Sequence, residues 1–187
     1  MSKFKDTYRI ESTRLPEYDY SRGGYYFVTI CTHKRENVFG RIENGVMKLN
    51  EAGKIIEKWI VKLNEHFPNV TNDYYCIMPN HIHIIIIINE TVHYNKNGIV
   101  ETIHELSLRE KIQHRRQMLL PKIIGYLKMN TSKQINIIRN TPGNPIWQPN
   151  YYEHIIRNDK SIYEIRKYIQ NNPLEWEDDE YFTDLGE

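Results

Sequence analysis

Cysteine is nearly absent from this chain of 187 residues: Cys31 and Cys76 are its two thiols. They form no CxxC pair and are too few for a disulfide framework, which excludes a stapled secreted scaffold. An excess of one charge is also lacking. The net charge is +1, so no global basic field marks a purely electrostatic nucleic-acid binder, although a local patch fits inside a balanced total. No apolar run reaches the length of a membrane span, and the start, MSKFKDTYRIESTR, lacks the apolar core of a signal peptide. A cytoplasmic protein without membrane contact is therefore the expectation.

What is present is ordinary in bulk: 40% hydrophobic and 26% charged residues, with a mean hydropathy of −0.66. That length can bury a real core, and one domain over 1–187 is expected. Tyrosine is the surplus, with 14 residues. Phenols stack on bases, and one can act as a nucleophile.

Residues 1–22 are polar and read as a loose arm. YYFVTICT (25–32) is β-branched and aromatic, hence a strand. A basic turn, HKRENVFG, leads to a short strand or hairpin around 45–49. Asn50 can cap a helix in which Ile55, Ile56, Trp59, Ile60 and Leu63 recur at helical spacing before Pro68. Val70 to Met78 reads as a second strand. The Ile84–Ile88 run is apolar on both faces and suggests a central strand covered on both sides. Residues 90–120 are polar and weakly patterned, a flexible excursion with some helix. Lys122 to Arg139 reads as a helix and Ile146 to Ile156 as a strand. Asp159 caps a last helix that ends near Asn171, stopped by Pro173. The acidic end, with its tail at 177–187, is expected to be solvated. This order fits an α+β class, a ferredoxin-like or RRM-like sandwich with a central antiparallel sheet and helices mainly on one face.

Within this pattern, MPNHIHIIIIIN (78–89) places two costly imidazoles in an apolar strand. Strand alternation gives His81, His83 and Ile85 one face, and Ile82, Ile84 and Ile86 the other. Same-face imidazoles can grip one cation, yet two nitrogens make an incomplete site, and a bare HxH is more often two satisfied core histidines. On the last helix, Ile162, Ile165 and Ile169 form the apolar stripe. Glu164, Tyr168 and Asn172 lie four apart along another face. Spacing alone favours a solvated face there, with Asn172 a C-cap before Pro173.

The PNHIH strand, the segment IWQPNYYEHIIRN and the helix end YIQNNP occur in order over nearly the whole chain. Together with YYFVTICTHKRENVFG they resemble the REP-associated tyrosine transposases, a branch of the single-tyrosine HUH transposases. The resemblance implies that His81 and His83 bind a divalent cation, Mg²⁺ or Mn²⁺, with Asn172 as third ligand and Tyr168 as nucleophile. It implies a bacterial enzyme that cleaves and rejoins single-stranded DNA at hairpin repeats through a 5′-phosphotyrosine linkage. Trp147, Gln148, His154 and Arg157 match a family signature. Arg115, Arg116, Lys128, Lys133 and Arg139 are candidates for phosphate contacts, which position a strand without reading it. Tyr151 and Tyr152 are candidates for base stacking, with core packing the alternative for one of them. Related transposases act as dimers while some REP-associated members are monomers, so a homodimer and a Tyr168 supplied in trans both stay open.

A non-catalytic ferredoxin-like nucleic-acid-binding module would explain the fold and the tyrosines. It leaves unexplained two histidines on one strand face with a matching tyrosine and asparagine. A zinc hydrolase using the same histidines lacks an acidic third ligand and a general base. A domesticated single-copy enzyme acting on chromosomal repeats shares the same protein chemistry and differs only in its flanking DNA.

Overall fold

A computed structural model describes residues 18–89 and 117–183, together with the backbone of β1 (Lys3–Phe4) and β2 (Thr7–Tyr8), a two-residue antiparallel ladder. Arg115 and Arg116, and the excursion as far as residue 116, lie outside the described residues. The remaining elements are β3 (Gly24–Cys31), β4 (Gly40–Glu43), β5 (Val46–Leu49), α1 (Glu51–His66), β6 (Val70–Ile77), β7 (His81–Ile88), α2 (Leu119–Arg139), β8 (Tyr152–Ile156) and α3 (Asp159–Asn171). None of the described helices is long and apolar enough to cross a membrane.

The sheet runs β6-β7-β3-β8 with every neighbouring pair antiparallel. Numbered by their order in the sheet's own chain path, these strands stand 2-3-1-4, the ferredoxin-like arrangement expected from the sequence. β7 sits between two partners, in register with β3 from Gly24↔Ile88 to Cys31↔His81. The β4–β5 hairpin is inserted after β3. Its turn, Asn44-Gly45, has both residues at positive φ, +52° and +72°, the twist that a two-residue hairpin requires.

α1 and α2 cover one face. Asn50 caps α1 by accepting from Gly53 N at 3.0 Å, and the helix ends at Phe67, just before Pro68. Ile56, Ile60 and Leu63 of α1 and Ile123, Ile124 and Leu127 of α2 bury themselves against Val28, Ile30, Ile82, Ile84 and Ile86. α3 covers part of the other face, where Ile162, Ile165 and Ile169 meet Ile85, Ile156 and Phe27. The β7 isoleucines thus face protein on both sides, as their unbroken run predicts. Arg166 donates to both carboxylate oxygens of Asp73 at 2.7 and 2.9 Å, tying α3 to the edge strand β6.

Four expectations shift. Asn158, not Asp159, caps α3, accepting from Ser161 N at 2.8 Å. The last strand is shorter than 146–156: only Tyr152–Ile156 joins the ladder, while Trp147 makes an isolated bridge to Thr32. The N-terminal arm is anchored at its end, because Tyr20 is buried in the main core. The acidic tail is not simply solvated. After a short 3-10 turn at Trp176–Asp178 it folds back over the sheet, and Trp176 and Tyr181 are 8% and 7% exposed. Two large rings give this segment apolar area to bury that its acidic composition hides.

Candidate active site

β7 delivers both histidines to the α3 face of the sheet. His81 and His83 are buried, and their Nε2 atoms lie 3.0 Å apart. Outer partners fix the rings. Asn80 donates its amide nitrogen to the carbonyls of Tyr181 (2.7 Å) and Arg35 (3.2 Å), so its oxygen is the acceptor facing His81 Nδ1 at 2.8 Å. His81 therefore carries its proton on Nδ1 and turns an Nε2 lone pair inward. His83 Nδ1 meets the Thr29 hydroxyl at 2.8 Å. A hydroxyl can donate or accept, so Thr29 supports either tautomer of His83. With Nε2 protonated, His83 bonds to His81; with Nδ1 protonated, both Nε2 lone pairs face one point. Burial holds His81 down to about 3 and His83 well below the ordinary histidine range, the neighbouring imidazole adding to the effect on His83. Both rings are neutral, as cation ligation requires.

α3 brings up the remaining groups. The Tyr168 hydroxyl lies 3.2 Å from His83 Nε2, on the same chain, and its ring stands edge-on to Phe27. Burial, followed by the charges of Asp179 and Glu180, pushes this phenol up to about 12. Asn172, at the end of α3, is buried and donates its amide nitrogen to Asp179 at 2.6 Å. Its Oδ1 is buried with no hydrogen-bond partner, a costly state for an acceptor. The side chain is close enough to both His81 and Tyr168 to bear on their titration. The nitrogens of His81 and His83 and a carboxylate oxygen of Asp179 all lie within 4.8 Å of one another. The inward lone pair of His81, that of His83 in its Nδ1-protonated tautomer, the buried Asn172 amide oxygen and the adjacent Asp179 carboxylate together fit a divalent cation.

These groups open onto a cleft of about 660 Å³ lined by Phe27, Thr29, Arg35, Tyr152, His154 and the tail residues Glu175 to Tyr181 except Trp176 and Glu177. The two candidate stacking tyrosines separate here: Tyr151 is buried in the core, and Tyr152 is 44% exposed beside the cleft. His154 lines the same cleft, and Arg157 lines a neighbouring one with Asn158 and Ser161. Trp147 is a core residue, its indole donating to Thr131 at 2.9 Å and its ring against Phe39. Gln148 serves through its backbone, donating to Cys31 O at 3.0 Å. Lys128 is no free phosphate contact either, because its ammonium donates to the carbonyls of Gln148, Pro149 and Asn150. Lys133 and Arg139 are exposed on α2, away from the lining of the cleft.

Sequence reasoning missed Asn80, Thr29, Arg35 and Asp179. Asn80 stands in the quoted motif and could have been found as the neighbour that orients His81. Asp179 is one carboxylate in EWEDDE, and nothing local separates it from the others.

No protein-family model matches the sequence. A Haemophilus influenzae protein whose name assigns no function is 37% identical over 173 residues, covering 92% of this chain and 93% of its own. A second H. influenzae protein, named by inference as a REP-associated tyrosine transposase, is 30% identical over 156 residues, covering 83% and 73%. Among solved structures, a REP-associated tyrosine transposase bound to a REP hairpin aligns at 19% identity with a TM-score of 0.48, covering 94% of this chain and 74% of that one. A Deinococcus radiodurans protein described as a transposase aligns at 13% and 0.45, covering 84% and 95%. The chain belongs to the REP-associated tyrosine transposase family.

Proposed function

We propose that this protein is a divalent-cation-dependent nuclease and strand transferase acting on single-stranded DNA at hairpin repeats. The observation that carries the reading is the approach, within one chain, of the Tyr168 hydroxyl to the paired Nε2 atoms of His81 and His83, beside the buried side chain of Asn172. His81, His83 and Asn172 would hold the cation, Mg²⁺ or Mn²⁺, with Asp179 beside it. The cation supplies charge stabilisation at the scissile phosphate.

The chain's own residues do the rest. Tyr168 is the attacking group. Its oxygen forms a bond to phosphorus, the P–O3′ bond breaks, and the phenolic proton is balanced by the one gained on the departing 3′-oxygen. The product is a 5′-phosphotyrosine with a free 3′-OH, and because the phosphodiester is exchanged rather than hydrolysed, the reverse attack rejoins strands without an energy source. A phenol at about 12 is a weak nucleophile at neutral pH, so the reaction depends on electrophilic help at the phosphate. Phe27 and His83 hold the Tyr168 ring in place. Arg35, at the cleft wall, and exposed Tyr152 are suited to a phosphate and a base respectively.

Single-stranded oligonucleotides spanning palindromes near the gene, incubated with the protein and Mn²⁺, should yield a nicked strand and a covalent adduct on a denaturing gel. Tyr168→Phe should lose the adduct and keep DNA binding. Retained binding with no adduct for any oligonucleotide would instead favour a non-catalytic nucleic-acid-binding module.

A further inference from the structure

Asp179 has no counterpart in the motifs that define the candidate site, yet it touches the site's most unusual group. Its Oδ2 accepts from Asn172 Nδ2 at 2.6 Å, and its Oδ1 accepts from Tyr181 N at 2.7 Å. A carboxylate can only accept, so the first bond forces the Asn172 amide into one orientation, nitrogen toward the tail and oxygen away from it. That oxygen is the buried, partnerless Oδ1. The second bond holds the carboxylate itself, and the segment that carries it is pinned to the histidines. Tyr181 packs on His81 with ring centroids 4.7 Å apart, and its carbonyl accepts from Asn80, the residue that orients His81.

We infer that Asp179 is a positioning residue of the cation site: its carboxylate locks the Asn172 amide so that Oδ1 completes the ligand set of His81 and His83. The inference rests on the cation reading proposed above. It gives a structural reason for the tail's fold-back, since a freely rotating amide would present its NH₂ to the cation in half of its orientations. Partners of this outer kind set ligand orientation, and losing one weakens metal affinity about 10–100-fold. Each Asp179 oxygen holds one donor, Asn172 Nδ2 on one and Tyr181 N on the other, and the role assigned to it runs through Asn172; a direct bond to the ion is the outcome the double-mutant cycle tells apart.

The test is a double-mutant cycle read by Mn²⁺ binding to the full chain without DNA, by calorimetry and by the electron paramagnetic resonance of free Mn²⁺. Asp179→Ala should weaken binding about 10–100-fold, Asn172→Ala should weaken it at least as much, and the double variant should be no worse than Asn172→Ala alone. Asp179→Ala binding within twofold of wild type would overturn the inference. So would an Asp179→Ala loss that persists in full in the Asn172→Ala background, because Asp179 would then act independently of Asn172. His81→Ala with His83→Ala separates the two levels. If wild type binds Mn²⁺ and this pair abolishes binding, the cation reading stands whatever Asp179 does; if wild type binds none, the cation reading itself fails. Far-ultraviolet circular dichroism and thermal melting confirm that each variant is folded, and Asp179→Glu, which keeps the acceptor, should recover part of the affinity.

Discussion

The hydroxyl of Tyr168 lies 3.2 Å from Nε2 of His83, a separation of 85 residues in sequence closed within one chain. α3 reaches that position because Ile162, Ile165 and Ile169 pack on Ile85, the residue that follows His83 on the same face of β7. One apolar seam therefore sets the distance between the candidate nucleophile and the candidate cation ligands.

That contact predicts action in cis. Mixing Tyr168→Phe protein with His81→Ala, His83→Ala protein should restore no adduct, since neither chain holds a complete site. Recovery of activity in the mixture, followed on a denaturing gel, would mean that the tyrosine crosses to a partner subunit.

Thr29 is buried and is the outer partner of His83 Nδ1. Thr29→Val keeps the shape and removes the hydroxyl, so Mn²⁺ affinity should fall about 10–100-fold. The change leaves His83 Nδ1 unpaired, which costs about 1–3 kcal/mol of stability. Calorimetry and thermal melting read the two effects, and an unchanged affinity would contradict the role given to Thr29.

The metal-free protein should be acid-sensitive. Burial depresses His81 from 6.5 to about 3 and His83 in the same direction, so between those limits the unfolded chain binds protons that the folded chain refuses. The stability due to these neutral rings is complete above about pH 6.5 and is lost as the pH falls through that window. Melting temperatures of chelator-treated protein from pH 7.5 to 4.5 should drop more steeply for wild type than for the His81→Gln, His83→Gln variant. Equal slopes would contradict it.

Among the described basic residues expected to meet phosphate, the structure separates two kinds. Lys133 and Arg139 are exposed, and replacing either with alanine should weaken DNA binding across sequences and lower the salt slope by about one. Lys128 closes the loop at 148–150 through three carbonyls, so Lys128→Ala should lower the melting temperature and leave the salt slope unchanged. A lowered slope for Lys128→Ala would restore it to the DNA contacts.

This division marks what sequence reading reaches. The β7 strand, α1 and the apolar stripe of α3 are legible because their side chains repeat with the period of the element. The α+β class follows from their order. The pairing of His81 and His83 is legible from alternation alone, whereas their meeting with Tyr168 and Asn172 came only through resemblance, because no periodicity relates two elements to each other. Lys128 looks like any other helix lysine, and only the path of the 148–150 loop reveals its three acceptors. The tail is the largest departure: EWEDDEYFTDLGE reads as solvated because its charges outnumber Trp176 and Tyr181, yet those rings cover the histidines. Asp179 enters the site as a consequence of that burial.

The most direct measurement is to map the covalent product. Protein incubated with Mn²⁺ and a cleavable hairpin oligonucleotide is digested with protease and nuclease, and its peptides are analysed by mass spectrometry. The account predicts a nucleotide phosphate on the peptide containing Tyr168, absent when His81 and His83 are replaced by alanine. Modification of Tyr163, which is 69% exposed on the same helix, or an adduct that persists without the histidines, would contradict it.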